Sequence, residues 1–179
     1  MRVFGICGKS NAGRSELVAE LVARFRLEGL RVAIVKRAPI SFDIDTPGTD
    51  SHRQRESGCD QMLIASDRRL ALLEEYPSDS ATPDVYALIA RLTPADVVLV
   101  INFRHDAIPR IEVEDGEAEG SPGLERNAGG VLARVGPISN ARCEFSVEDC
   151  DAIAGFVLRH AVTWLGAPSE RPPGAPLRA

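Results

Sequence analysis

Apolar residues come in short unbroken runs, separated by stretches in which they recur every third or fourth place. That alternation predicts strands and helices in turn. Residues 3–7 are the first run, with the β-branched Val3 and Ile6 and a glycine-bearing loop after them, and predict a short buried strand. From Ser15 onward Leu17, Val18, Leu21, Val22 and Phe25 fall on one helical stripe, and Gly29 stands where a left-handed helix cap is expected. Residues 32–35 are apolar again, so the first 36 residues predict a strand, a helix and a second strand paired in parallel with the first. A short helix is expected over 51–57 and a strand over 61–65. Pro83 with Leu88, Ile89 and Leu92 predicts a helix that carries proline in its first turn and stops at Pro94.

Residues 96–101 are apolar after Asp96, as a central parallel strand covered on both faces has to be. Residues 109–113, taken as an edge strand, and 131–135 extend the sheet. Ser146 is expected to cap a last helix that carries Ile153, Phe156, Val157, Val162 and Leu165. Between these elements lie two long loops: residues 37–50, with Pro39, Pro47 and Gly48, and the acidic, glycine-bearing 114–130. The sum is an α/β fold, a mostly parallel twisted sheet with helices on both faces. Residues 1–166 are read as a single domain, and residues 167–179, with prolines at 168, 172, 173 and 176, as a flexible tail.

Composition narrows the function. The formal net charge is -5 and Lys and Arg are scattered, which leaves no basic stripe for nucleic acid. The first apolar run is too short for a signal peptide and no later run reaches membrane-spanning length, so a cytoplasmic protein with no membrane partner is expected. The four cysteines, Cys7, Cys59, Cys143 and Cys150, form no C-x-x-C pair and read as reduced thiols.

Between the first strand and the first helix stand Gly8, Lys9, Ser10, Asn11, Ala12, Gly13, Arg14 and Ser15. They fit G-x-x-x-x-G-K-[ST] at each fixed place except the lysine, which is Arg14. Such a loop turns backbone N–H groups inward onto a helix N-terminus and so makes a nest for phosphates; Ser15 is placed to hold Mg²⁺. Arg14 keeps the positive charge, but its planar head does not replace a compact ammonium. Lys9 is a candidate second cation for phosphate.

The stretch from Lys36 to Glu75 contains F-D-I-D-T-P-G-T-D-S-H-R-Q-R-E-S-G and, further on, S-D-R-R-L-A-L. It closely resembles the molybdopterin-guanine dinucleotide biosynthesis protein B family, in which K-H, F-D-x-D-x-P-G-K-D-S-x-R-H-R-x-A-G and S-x-x-R-x-A-L follow the phosphate loop. The resemblance implies a P-loop α/β domain that is usually a homodimer, binds GTP with Mg²⁺ and assists the guanylyltransferase that joins GMP to molybdopterin. No N-K-x-D guanine-reading motif is present, and residues 139–142 are at best a remote echo of one. Asp43, Asp45 and Asp50, with Ser51 and Arg53, are candidates for a metal-bound water and an anion contact, and Asp45 is the metal candidate beside Ser15. Taken one by one, each aspartate also suits a solvated turn or a helix cap, and His52 suits a surface position.

Two departures bear on chemistry. The family's histidines after Lys36 are replaced by Arg37, Ala38 and Pro39, and its E-G-F-K at the end of the central strand is here Ile101, Asn102, Phe103 and Arg104. Isoleucine cannot order Mg²⁺ through water. One reading is therefore a GTP-binding accessory protein whose hydrolysis is weak or lost. The other is an interaction module that keeps the fold and binds no nucleotide. A small-molecule kinase would need an acceptor site and a base that the sequence does not offer.

Overall fold

The computed structural model describes residues 1–8, 11–77, 83–105, 107–114, 130–137 and 143–166, with the backbone alone at residues 11 and 12. Lys9, Ser10, the acidic loop at 115–129, residues 139–142 and the tail at 167–179 lie outside the described residues. The chain divides into two compact units, Met1–Arg37 with Asp84–Ala179, and Ala38–Pro83.

The larger unit is built from β1 (Arg2–Gly8), α1 (Asn11–Leu27), β2 (Val32–Lys36) and, after the smaller unit, six further elements. The smaller unit holds α2 (Asp50–Glu56), β3 (Gln61–Ala65) and β4 (Leu70–Glu74). The larger then continues with α3 (Val85–Ile89), β5 (Val97–Ile101), β6 (Arg110–Val113), β7 (Val131–Val135), α4 (Cys150–His160) and β8 (Val162–Thr163).

The main sheet has the order β2-β5-β1-β6-β7, all parallel, with β8 antiparallel to the start of β1. Alternation sorts the side chains onto two faces. Phe4, Ile6, Val97, Leu99, Ile101, Ile111 and Val113 meet Leu17, Leu21 and Phe25 of α1 and Ile153, Ala154 and Val157 of α4 in one core. Val3, Val98, Val100 and Val35 meet Val85 and Ile89 of α3 in the other. Every residue of β5 is buried, as an unbroken apolar strand requires.

Several expectations are corrected. β1 and β2 run in the same direction but are not neighbours; β5 lies between them and pairs with both, because it is apolar on both faces. The strand expected at an edge, β6, is hydrogen-bonded on both sides, to β1 and to β7. The last helix begins at Cys150, since Ser146 and Asp149 bond to each other across a tight turn before it. It also ends earlier. Val162, expected on the helix, pairs with Val3, and the Met1 amine bonds to the Trp164 carbonyl. At α3 the cap is Asp84, whose carboxylate accepts from Tyr86 and Ala87 N–H; Pro83 precedes the helix.

In the smaller unit β3 and β4 form an antiparallel hairpin in which Leu63 faces Leu72 and Ala65 faces Leu70. The first strand was expected and the second was not: Leu70, Ala71, Leu72 and Leu73 are uniformly apolar and carry no period-2 signal.

Phe4 is fully buried and meets the Phe156 ring edge-on at 6.3 Å. Phe4→Ala removes the buried ring and its contact with Phe156, and the expected cost is about 3–5 kcal/mol of folding stability. A urea denaturation midpoint unchanged from the parent would contradict this packing.

Candidate functional site

In the larger unit the site is the turn from β1 into α1. β1 ends at Gly8, which is in register with Val113, and α1 is already helical at Asn11, four residues before the expected start. Gly8 has φ 154°, and a Cβ built on it would stand 2.2 Å from the Val113 carbonyl oxygen. Only glycine fits that approach. The turn therefore sits at the C-terminal ends of parallel strands and at a helix N-terminus, where ligands of open α/β sheets bind.

Arg14 is 4% exposed and donates from Nη1 to the Gly8 carbonyl at 2.5 Å. Its burial follows from helical geometry, since residues 14, 17, 21 and 25 fall on one stripe and the other three are Leu17, Leu21 and Phe25 of the core. The guanidinium is thus bonded back onto the strand that opens the loop. Ser15, one residue further round the helix, is exposed. Gly13 is partly buried, and Lys9 and Ser10 are outside the described residues.

Ile101, at the strand end where the resemblance has an acid, is 4% exposed in the core that α1 covers. Asn102, in the place of a glycine, has φ 64°, a left-handed conformation that asparagine tolerates better than most side chains. Beside it Cys7 donates to the Phe103 carbonyl at 3.4 Å, and burial pushes its thiol above the usual range. All four cysteines are free, as expected.

In the smaller unit the loop before α2 folds around Asp45, whose side chain is 9% exposed. Its Oδ1 accepts from Thr46 N–H at 2.9 Å, from Ser51 Oγ at 3.0 Å and from Thr49 Oγ1 at 3.3 Å. Its Oδ2 is buried and accepts no hydrogen bond among the described residues. Asp43 accepts from Asp45 N–H at 2.9 Å and from Arg55 Nη2 at 2.5 Å; that backbone donor first, and then the guanidinium, hold its carboxyl below the usual range.

Of the aspartates singled out in the sequence, Asp43 and Asp45 come together and Asp50 does not. Asp50 is exposed and pairs with the exposed Arg53. The arginine that meets the cluster is Arg55, which the sequence reading passed over. Helical spacing held the signal, because Ser51 and Arg55 are four residues apart and share a face of α2, with Arg53 on another. His52 lies 3.4 Å from Glu56. No group of three or more His, Cys, Asp or Glu side chains suited to hold a metal occurs among the described residues. Mg²⁺ does not require one, since it keeps several waters and uses one or two carboxylates with substrate phosphates.

A sequence model described as molybdopterin guanine dinucleotide synthesis protein B matches residues 3–135. The molybdopterin-guanine dinucleotide biosynthesis adapter protein of Escherichia coli (strain K12) is 29% identical over 154 residues, 83% of this chain and 87% of the relative. The protein of the same description from Haemophilus influenzae is 32% identical over 109 residues, 61% of each chain. A crystal structure of molybdopterin-guanine biosynthesis protein B superposes with a TM-score of 0.66 at 26% identity, over 88% of this chain and 98% of the other. A Bacillus stearothermophilus homologue, at 21% identity and TM-score 0.59, shows the shared fold.

Gly8→Ala is expected to displace β6 or the loop, because the added methyl meets a backbone oxygen at 2.2 Å with no flexible side chain to yield. The expected result is a stability loss on the order of 2 kcal/mol or more and loss of phosphate-loop anion binding. Titration with inorganic phosphate and a denaturation curve measure the two; parent-like values in both would remove the assignment of Gly8 as the pivot.

Proposed function

The chain belongs to the molybdopterin guanine dinucleotide synthesis protein B family, and from that premise we propose that it is a GTP-binding adapter that assists the molybdenum-cofactor guanylyltransferase in the cytoplasm. The observation that carries the nucleotide is the glycine pivot at Gly8, leading within three residues into a helix start. Backbone donors at such a turn bind phosphate whatever side chain stands at position 14. Gly8, Lys9, Ser10, Asn11, Ala12, Gly13, Arg14 and Ser15 would form the cradle, and Ser15 and Asp45 would serve Mg²⁺. The preference for guanine rests on the family.

Hydrolysis is proposed to be weak or lost. It relies on a mobile compact cation at the β- and γ-phosphate oxygens and on an ordered metal, and the loss of one strong electrostatic contact typically slows such a step about a hundredfold. Arg14 is buried and bonded to Gly8, and Ile101 offers no oxygen. An adapter can use nucleotide binding without turnover. The same two residues favour the second reading, a nucleotide-free interaction module.

The homodimer has no open edge at β6, which is paired on both sides. It is supported by the hairpin of β3 and β4, a two-stranded sheet that is only marginally stable alone. Leu63, Leu70 and Leu72 on one of its faces are 61%, 68% and 51% exposed. Met62, Ile64, Ala71 and Leu73 make the other face apolar too, so one neighbour cannot cover both.

A thermal-shift comparison of GTP, GDP and ATP, each with and without Mg²⁺, tests the nucleotide. GTP at a hundred times its Kd is expected to stabilise the protein by about 2.7 kcal/mol, or roughly 5–10 °C in Tm. No shift with any nucleotide would favour the nucleotide-free module. Turnover followed in the same samples is expected to be at least about tenfold slower than in Arg14→Lys, and equal rates would remove the role given to Arg14.

Light scattering is expected to give a dimer at micromolar concentration and a monomer after Leu63→Glu with Leu72→Glu. A monomeric parent would end the dimer proposal.

A further inference from the structure

Of the chain's 21 Lys and Arg residues only two are lysines, Lys9 and Lys36. The rest are arginines, position 14 included. Lys9 directly follows β1 in the sequence and Lys36 is the last residue of β2. Both compact ammonium groups thus stand where the chain leaves the C-terminal end of a parallel strand of the main sheet.

Alternation and register place Lys36. Val32 packs toward the core under α1, Ala33 and Val35 toward the core under α3, and Lys36 therefore returns to the α1 face. It is in register with Ile101, whose side chain lies in that same core under α1, and Ile101 is in register with Ile6, two residues before Gly8. Backbone bonds hold this row to its end: Arg37 N–H donates to the Ile101 carbonyl at 2.9 Å and Asn102 N–H to the Ile6 carbonyl at 3.2 Å. One strand spacing, about 4.8 Å, separates Lys36 from Ile101, and a four-carbon stem spans it. All of these residues belong to the larger unit.

The arginines at this edge of the sheet are committed. Arg14 bonds to the Gly8 carbonyl, Arg104 pairs with Glu112 at 3.9 Å and Arg110 donates to the His105 carbonyl at 3.3 Å. Lys36 is exposed, and among the described residues its ammonium has neither a hydrogen bond nor an ion pair. Its neighbour in register, Ile101, carries no carboxylate to claim it. In a phosphate-loop site the metal that bridges the β- and γ-phosphates is held from the strand end that Ile101 occupies here, so the terminal phosphate lies over that end and a cation on β2 faces it.

We propose that Lys36 is the cation that meets the terminal phosphate of the bound nucleotide, in place of the side chain at position 14, and that it thereby sets a preference for triphosphate over diphosphate. The inference rests on the reading of the Gly8–Ser15 turn as a nucleotide site. A point charge on a flexible stem is what the packed guanidinium of Arg14 does not supply. Without an acid at position 101 to order the metal, the added charge strengthens binding and does not restore turnover.

The test is calorimetric titration of GTP and of GDP, each with Mg²⁺, into the parent, Lys36→Met and Arg26→Gln. Lys36→Met removes the charge and keeps the stem, whereas Arg26→Gln removes the same charge from the last turn of α1. Lys36→Met is expected to weaken GTP about tenfold or more and GDP less than about twofold, with Arg26→Gln like the parent in both. Reductive ¹³C-methylation decides the matter if Lys36→Met does not fold. In Lys9→Arg the one labelled lysine is Lys36, and its methyl resonance is expected to shift with GTP and to stay in place with GDP. A preference for GTP over GDP in Lys36→Met equal to that of the parent, an equal loss in Arg26→Gln, or a Lys36 resonance that GTP leaves unmoved ends the role of Lys36 and keeps the nucleotide reading. A parent that binds neither nucleotide removes that reading and this inference with it.

Discussion

Strand β1 is hydrogen-bonded along both sides, to β5 from Arg2 to Ile6 and to β6 from Gly5 to Gly8, and residues 3–7 are buried on both faces. With no side left for water, it can leave the sheet only at its ends, and at the C-terminal end the Val113 carbonyl crowds the exit. A glycine there is a steric requirement before it is a binding device. Once the chain turns at Gly8, the apolar stripe of α1 has to return over the same face, because Leu17, Leu21 and Phe25 have no other core to enter. Those two constraints set the start of α1, whose first N–H groups no preceding helical turn can satisfy.

The same packing explains what happened to the signature cation. Position 14 lies on the buried stripe of α1, so a long side chain there is drawn along the helix toward the strand end, and the Gly8 carbonyl receives it. A lysine at this place would be a flexible point charge. The arginine is a packed brace for the loop. At Ile101 the change runs the same way, with an apolar side chain joined to the core beneath α1. An acid at that position would bury a carboxylate among Phe4, Ile6 and Leu17 and their neighbours, at a cost in stability.

The smaller unit carries the opposite bias. Its polar residues are organised and its apolar ones are exposed: Asp43, Asp45, Thr49, Ser51 and Arg55 are knit together, while Ile40, Phe42 and Ile44 of the same loop, and Leu63, Leu70 and Leu72 of the hairpin, are open to solvent. Such a surface suits association more than catalysis. A family whose members are described as adapters accords with a chain that presents apolar surface of this extent.

The order of strands and helices was legible in the chain because periodicity is a local property. Residues 3–7, 32–35, 61–65 and 131–135 and the stripe from Leu17 to Phe25 needed no knowledge of their neighbours, and the block from Phe42 to Gly58 pointed to the family by itself. Neighbour relations were not legible. That β5 enters between β1 and β2, that β6 is interior, and that Val162 leaves the last helix for a strand beside Val3 are decided by which apolar surfaces meet at long range. At the site the line falls in the same place. The sequence by itself determined the loop, its glycines and the exchange of lysine for arginine; only the tertiary structure decided that Arg14 bonds to Gly8 and that Arg55, not Arg53, gathers the carboxylates. A side chain's type is written in the chain, whereas its partner depends on the face from which it projects and on what the fold has brought there.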